Sequence, residues 1–353
     1  MRISSFNNFI NERLGVSEPS LIFAPILENK VQWAFRDFVK SDSKTYKETM
    51  NVWYIFLRPY IKNLELYSEF PVVKFEIELK FNKLTEVQFK KKYPDFSQDQ
   101  KLATGGHASY FGNKNWSGYS KIVNPIKQVT DNGVIVNLGV SIDIRPTFDL
   151  SNVENFKKME DDISSTLYHE LHHCYENYVR VIKNTNILRP ESRSFNTTLS
   201  WAENIWKYPK PLFKFWSIFT YYLYVAEYHE TRANIQEIYY FIKKYPNKDL
   251  KDFNIYQTAN KMENFNYEQY YQDLLNKISE KYPGSEEYVA NRFKSMWVKT
   301  YKKECEVSRV PPIISFETLE KMDCKEFLKY WQKRINNAGK TIKRKAHNIK
   351  ANI

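Results

Sequence analysis

Residues 168–174 read Tyr-His-Glu-Leu-His-His-Cys, and His169, Glu170 and His173 within them spell His-Glu-x-x-His. On a helix this spacing puts both imidazoles on one face, one turn apart. Two convergent imidazoles, a carboxylate beside them and a coordination position left for water suit a catalytic zinc ion. With 6 histidines in 353 residues, chance ordering produces this pattern in about one such chain in a hundred. The chemistry expected is hydrolysis of a peptide bond, with Glu170 as the general base towards a water activated by Zn2+.

Such a site needs a third protein donor. Downstream stands Glu227-Tyr-His229-Glu230-Thr-Arg232-Ala-Asn234, in a segment with helical patterning. Glu230 is the preferred ligand, and Glu227, on nearly the same helical face, is its rival. Asn234 follows Glu230 by one turn. His229 is rotated about 100° away and suits a ligand less well. His229 and Arg232 are candidates for the donor that steadies the oxyanion, with Tyr228 and His107 behind them. His172 reads as a supporting donor or a surface residue, and Cys174 as a small buried helix residue.

Glu230-Thr-Arg-Ala-Asn234 resembles the Glu-x-x-Ala-Asn pattern of the ImmA/IrrE metallopeptidases, and the whole set is similar to the gluzincin arrangement. That resemblance implies a zinc endopeptidase in which Asn234 supports a ligand histidine from one turn beyond Glu230. It also implies a zincin-like fold, whose edge strand near the metal-binding helix holds an extended substrate. Two features depart from the pattern. The interval from His173 to Glu230 is long, and His172 stands where a glycine is common.

The elements that must position these residues follow from periodicity. Asn29–Lys40 and Lys44–Tyr67 carry helical patterning. Val73, Phe75, Ile77, Leu79 and Phe81 alternate with charged residues, which predicts a half-buried strand. Residues 104–112, Thr-Gly-Gly-His-Ala-Ser-Tyr-Phe-Gly, read as a glycine-rich loop. After a turn at Asp131-Asn132-Gly133, Val134–Ile144 reads as another strand. Ser151 with Glu154 makes a capping box that opens one or two helices running to Ile182. Within them Ile163, Leu167, Leu171 and Cys174 form an apolar stripe with His169 and His173 at its edge. Further helices are expected near 214–244, 266–281, 285–305 and 316–336, punctuated by Pro246, Pro283, Pro311 and Pro312. The fold class expected is α+β: a lobe over 13–188 with a small mixed sheet and the His-Glu-x-x-His helix, then a mostly helical lobe over 189–353. The lobe boundary falls near Arg189-Pro190.

Composition narrows the setting. The 26 Tyr and 24 Phe predict an aromatic core. Three cysteines are too few and too scattered for a disulfide framework. No apolar run reaches membrane-spanning length, and Pro211–Val225 reads as a buried helix, so no membrane association is expected. The formal net charge of +12 is partly carried by Lys340, Lys343, Arg344, Lys345 and Lys350. That tail would offer weak contact to nucleic acid, although a solvated, frayed end is the plainer reading.

The first twelve residues place Phe6, Phe9 and Ile10 on one helical face and end in Ile10-Asn11-Glu12. They resemble the capsid-targeting peptides of T-even-like phage internal head proteins, which are cut after a Leu/Ile-x-Glu tripeptide. The resemblance implies a removable segment over 1–12 and a location in a phage virion interior, or otherwise in host cytoplasm, without a classical secretory signal. The substrate expected is a protein or peptide. A virion cargo protein with a zincin fold and no turnover is the alternative, and a basic nucleic-acid-associated protein a further one.

Overall fold

The computed structural model describes residues 24–55, 72–92, 102–109, 134–147, 152–182, 210–308, 312 and 314–353. The segment 1–12, the Asp131-Asn132-Gly133 turn, Ser151 and the Arg189 boundary lie outside the described residues. The chain forms two compact units, one of residues 1–185, 232–248 and 345–353, the other of 186–231 and 249–344. Two helices run from one unit into the other, whereas sequence alone predicted a single boundary. The class is α+β: mostly helical, with one small mixed sheet.

In the first unit, α1 (Ala24–Lys40) precedes strands β1 (Thr45–Ile55) and β2 (Val72–Lys83), the short α2 (Glu86–Lys92), β3 (Leu102–Ser109), β4 (Val134–Ile144) and the long α3 (Val153–Ile182). The strand order is β1-β2-β4-β3. β1 pairs antiparallel with β2, β2 parallel with β4, and β3 antiparallel with β4. Two expectations fail here. Residues 45–55, predicted helical, are strand β1, and residues 104–109, predicted as loop, belong to strand β3. Both are edge strands whose conformation is set by a neighbour: β1 pairs along β2 over its whole length, and Gly105 and Gly106 stand opposite Ser141 and Val140.

β2 behaves as its alternation predicts. Ile77, Leu79 and Phe81 are buried, and Glu78 and Lys80 are exposed. β4 adds Val140, Ile142 and Ile144 to the buried set. α1 buries Ala24, Leu27, Val31, Ala34, Phe35 and Phe38, the i, i+3, i+4, i+7 recurrence of an amphipathic helix. The rings of Phe35 and Phe38 lie 5.3 and 5.7 Å from that of Phe81. At the end of the sheet, buried Arg145 forms a two-pronged ion pair with Glu86, and buried Asp143 pairs with Lys92 and Asn82.

The second unit is an aromatic helical core. Its elements are α4 (Lys210–Val225), a 3-10 turn at Leu250–Asp252, α6 (Asn254–Glu263), α7 (Tyr267–Ser279), α8 (Glu286–Ser308), α9 (Phe316–Lys321) and most of α10 (Cys324–Lys350). α5 (Tyr228–Lys244) begins here and continues as part of the first unit from Arg232. Trp216 stacks on Phe293 at 3.8 Å, and Trp297 lies 4.8 Å from Tyr301 and 5.8 Å from Trp331. α6 and α10 approach closely at Gly339, where a Cβ would come within 2.4 Å of the Ala259 carbonyl oxygen. One turn earlier, the Asn336 amide donates to the carbonyls of Met262, Glu263 and Phe265. Buried Lys294 points its Nζ at the Leu319 and Glu320 carbonyls at the end of α9.

The segment read as a frayed basic tail is instead the last part of α10. Ile335, Ala338, Ile342, Ala346 and Ile349 are buried along it. α4 is amphipathic, because Trp216, Phe219 and Leu223 are buried while Ile218 and Tyr221 are exposed. No helix among the described residues is long and apolar enough to cross a membrane.

Candidate metal centre

A single helix, α3, carries the His-Glu-x-x-His segment. It is opened by Asn152, whose Oδ1 accepts from the backbone N–H groups of Glu154 and Asn155 at 2.8 and 3.2 Å. Asn152 therefore fills the capping role predicted for Ser151. Met159, Ile163, Leu167 and Leu171 form a buried apolar stripe. α3 packs on α1 and along β3 and β4.

The other faces of α3 are unusually polar for so buried a helix. Ser164 receives a hydrogen bond from Gln32 at 2.9 Å and donates one to Glu28 at 2.8 Å. Glu160 pairs with Arg36. Asp161 accepts from the hydroxyls of Tyr240 (3.0 Å) and Tyr245 (2.6 Å) and pairs with Lys244 at 2.6 Å. Three donors from α5 and its end thus converge on one carboxylate of α3. This clamp fixes the register in which α5 runs antiparallel to α3. The ring of Tyr168 against those of Tyr239 and Tyr240, at 6.3 and 5.3 Å, continues the same seam.

Two turns further along the seam lie the histidines. The Nε2 atoms of His169 and His173 face each other at 3.1 Å. Two nitrogens on a tetrahedral zinc ion stand about 3.3 Å apart, given Zn–N bonds of ~2.0–2.1 Å. The separation suits a shared cation with little rearrangement. Glu237 Oε2 lies 3.5 Å from His169 Nδ1. A carboxylate there favours the tautomer protonated at Nδ1 and leaves the Nε2 lone pair directed at the site. His169, His173 and Glu230 each offer a ligand atom, and these atoms lie within 4.8 Å of one another. Two imidazoles and a carboxylate form a donor set that zinc accepts. The residues present therefore fit a divalent cation.

Glu227 takes a different place from the one predicted. The expected helix over 214–244 breaks at Ala226 and Glu227, so Glu227 precedes α5 instead of sharing its face. Its carbonyl accepts from Thr231 N, and its side chain is buried. Glu230, in the first turn of α5, is the carboxylate that joins the histidines. Glu170 is buried beside His169. Asn234 is buried one turn after Glu230, and Arg232 is half-buried. His229 belongs to the first turn of α5, and its side chain lies outside the described set, as does that of Cys174. Tyr228 is exposed. His107 stands in β3, in register with Gly139. His172, read as a supporting or surface residue, is completely buried. Glu237 was missed by sequence reasoning. The signal available was its place seven residues after Glu230, which is two turns along the same face.

Asp162 shares a face of α3 with His169 and His173. Its carboxyl is pushed up to about 7, chiefly by burial, against the pull of Lys158 and with the nearby charges of Glu237 and Asp161 adding to the rise. No protein-family model, curated protein or solved structure matches the chain.

Proposed function

We propose that this chain is a zinc-dependent metallopeptidase of gluzincin type. The observation that carries the reading is the meeting of His169, His173 and Glu230 within 4.8 Å, with Glu170, next in sequence to His169, buried. His169, His173 and Glu230 would hold the metal, and the Glu237 carboxylate, 3.5 Å from His169 Nδ1, would steady that ring electrostatically. A bound zinc ion supplies Lewis acidity and stabilises negative charge that develops on the substrate carbonyl oxygen. Glu170 accepts a proton from the attacking water and delivers it to the leaving amine. Arg232 and His229 are the candidates for a further donor to the oxyanion.

The sheet supports a peptide as substrate. β3 is the terminal strand, antiparallel to its one partner, and α3 packs along it. Its outer edge carries no strand among the described residues, so an extended chain can pair with it. This juxtaposition of helix and edge strand supports a zincin-like arrangement.

Elemental analysis of purified protein together with a peptidase assay tests the reading. About one zinc per chain is expected, with metal retained and hydrolysis lost in Glu170→Gln. Protein that neither carries nor takes up zinc defeats the proposal.

A further inference from the structure

We propose that the exposed face of α10 is a docking surface for the phosphate backbone of double-stranded nucleic acid. Lys325, Lys329, Lys333, Lys340 and Arg344 are spaced by four, four, seven and four residues, which places them within about 100° of arc. All five are exposed. At 1.5 Å per residue the row from Lys325 to Arg344 spans ~28 Å. The opposite face is anchored by Phe327, Leu328, Trp331, Ile335, Ala338 and Ile342, all buried, so the row is held on a fixed rod.

Among the described residues, none of these five cations has a carboxylate partner. Other lysines of the same unit do: Lys277 pairs with Glu280, Lys321 with Glu317 and Lys343 with Glu263. The one acid on α10 is Glu326, and it is occupied in a reciprocal cap with Asp323. A row of cations left uncompensated in this way keeps its field for an outside anion.

The character of the row selects the partner. No apolar side chain is exposed on this arc, so nothing inserts into a lipid bilayer. The five positions include no aromatic ring to stack unpaired bases. Regularly spaced cations on a straight rod match a regular, rigid array of phosphates, and they read charge rather than sequence. The surface lies further towards the N-terminus than the tail singled out from sequence, because Lys343 is already spent on Glu263.

Fluorescence anisotropy with a labelled 20-base-pair DNA duplex of arbitrary sequence tests the proposal on the full chain. Wild type is expected to bind at low salt, with log K falling against log[salt] at a slope of about −4. K329Q/K333Q/K340Q is expected to weaken binding at least tenfold and to flatten that slope by about 3. K277Q/K281Q/K321Q removes the same charge elsewhere in the unit and is expected to bind as wild type does. K333E/R344E gives an independent reading of the same face and is expected to abolish binding. Far-UV circular dichroism should be unchanged in all variants. Failure of wild type to bind duplex, equal loss in the control variant, full binding by K333E/R344E, or binding to phosphatidylserine vesicles in place of duplex each overturns the proposal.

Discussion

α3 and α10 are the two longest helices among the described residues, and they spend their polar residues in opposite ways. α3 turns Glu160, Asp161, Ser164, Ser165, Glu170 and His172 into buried surroundings. α10 buries an almost purely apolar and aromatic face and presents its lysines to solvent. Burying a polar group is unfavourable unless a partner compensates it. α3 therefore needs a partner helix carrying complementary groups, and α5 supplies Glu237, Tyr240 and Lys244. α10 depends mainly on shape, which Gly339 provides, with Asn336 and Lys343 adding polar contacts at its margin. On the proposals above, the inward polar face is where chemistry is assembled and the outward one where a partner is met.

The contrast breaks most visibly at Glu170. Glu170→Gln should lower hydrolysis by about a hundredfold or more while leaving bound zinc unchanged, because a general base contributes ~10²–10⁴. Equal loss of metal in that variant would recast Glu170 as a structural member of the seam. On the α10 side, Gly339→Ala pushes a Cβ against the backbone of Ala259 and Glu263. We expect it to destabilise the second unit by about 3 kcal/mol, read from denaturant unfolding by tryptophan fluorescence. Asp161→Ala should cost about 2 kcal/mol, since it leaves Lys244 and two tyrosine hydroxyls without their shared acceptor. It should also weaken zinc retention against a chelator, because the α3–α5 register loosens. An unaltered affinity would show that the clamp and the metal site are independent.

The smallest effect expected depends on pH. Asp162 has a folded-state value of about 7, raised mainly by burial, against 3.8 as its ordinary value. The folded state holds this proton more tightly than the unfolded state does. Stability is therefore lost as pH rises from about 4 to 7, and the full penalty remains above that. The rise from 3.8 to about 7 sets an upper bound of ~4 kcal/mol. Because Asp162 is only half-buried, Asp162→Asn should raise stability by about 1 kcal/mol at pH 8 and leave it nearly unchanged at pH 4. Urea titrations of metal-free protein at the two values give the comparison.

The parts legible in the sequence are those whose pattern and environment agree. β2 alternates because one face is wet, and the central part of α3 shows its apolar stripe because that stripe meets a core. β1 was misread because Val52, Trp53, Phe56 and Leu57 fall at helical spacing in the sequence, while the pairing with β2 that makes residues 45–55 a strand comes from elsewhere in the chain. β3 was misread because Gly105 and Gly106 look like loop residues, yet a neighbouring strand supplies their hydrogen bonds. The break before α5 carries neither glycine nor proline, so it left no signal, and with it went the separation of Glu227 from Glu230. The candidate metal-binding pair was legible because four-residue spacing encodes local geometry. Glu237 was not, because its meeting with His169 depends on the register of two helices joined through distant segments.

Lys294 carries a consequence of its own. Its ammonium is enclosed and directed at the two carbonyls closing α9, and burial lowers its proton affinity from the ordinary lysine value. Acylating reagents that modify surface amines within minutes should pass it by until the helices around it separate. Quantified by peptide mapping, acylation at that one position would act as a clock for transient opening of the helical unit.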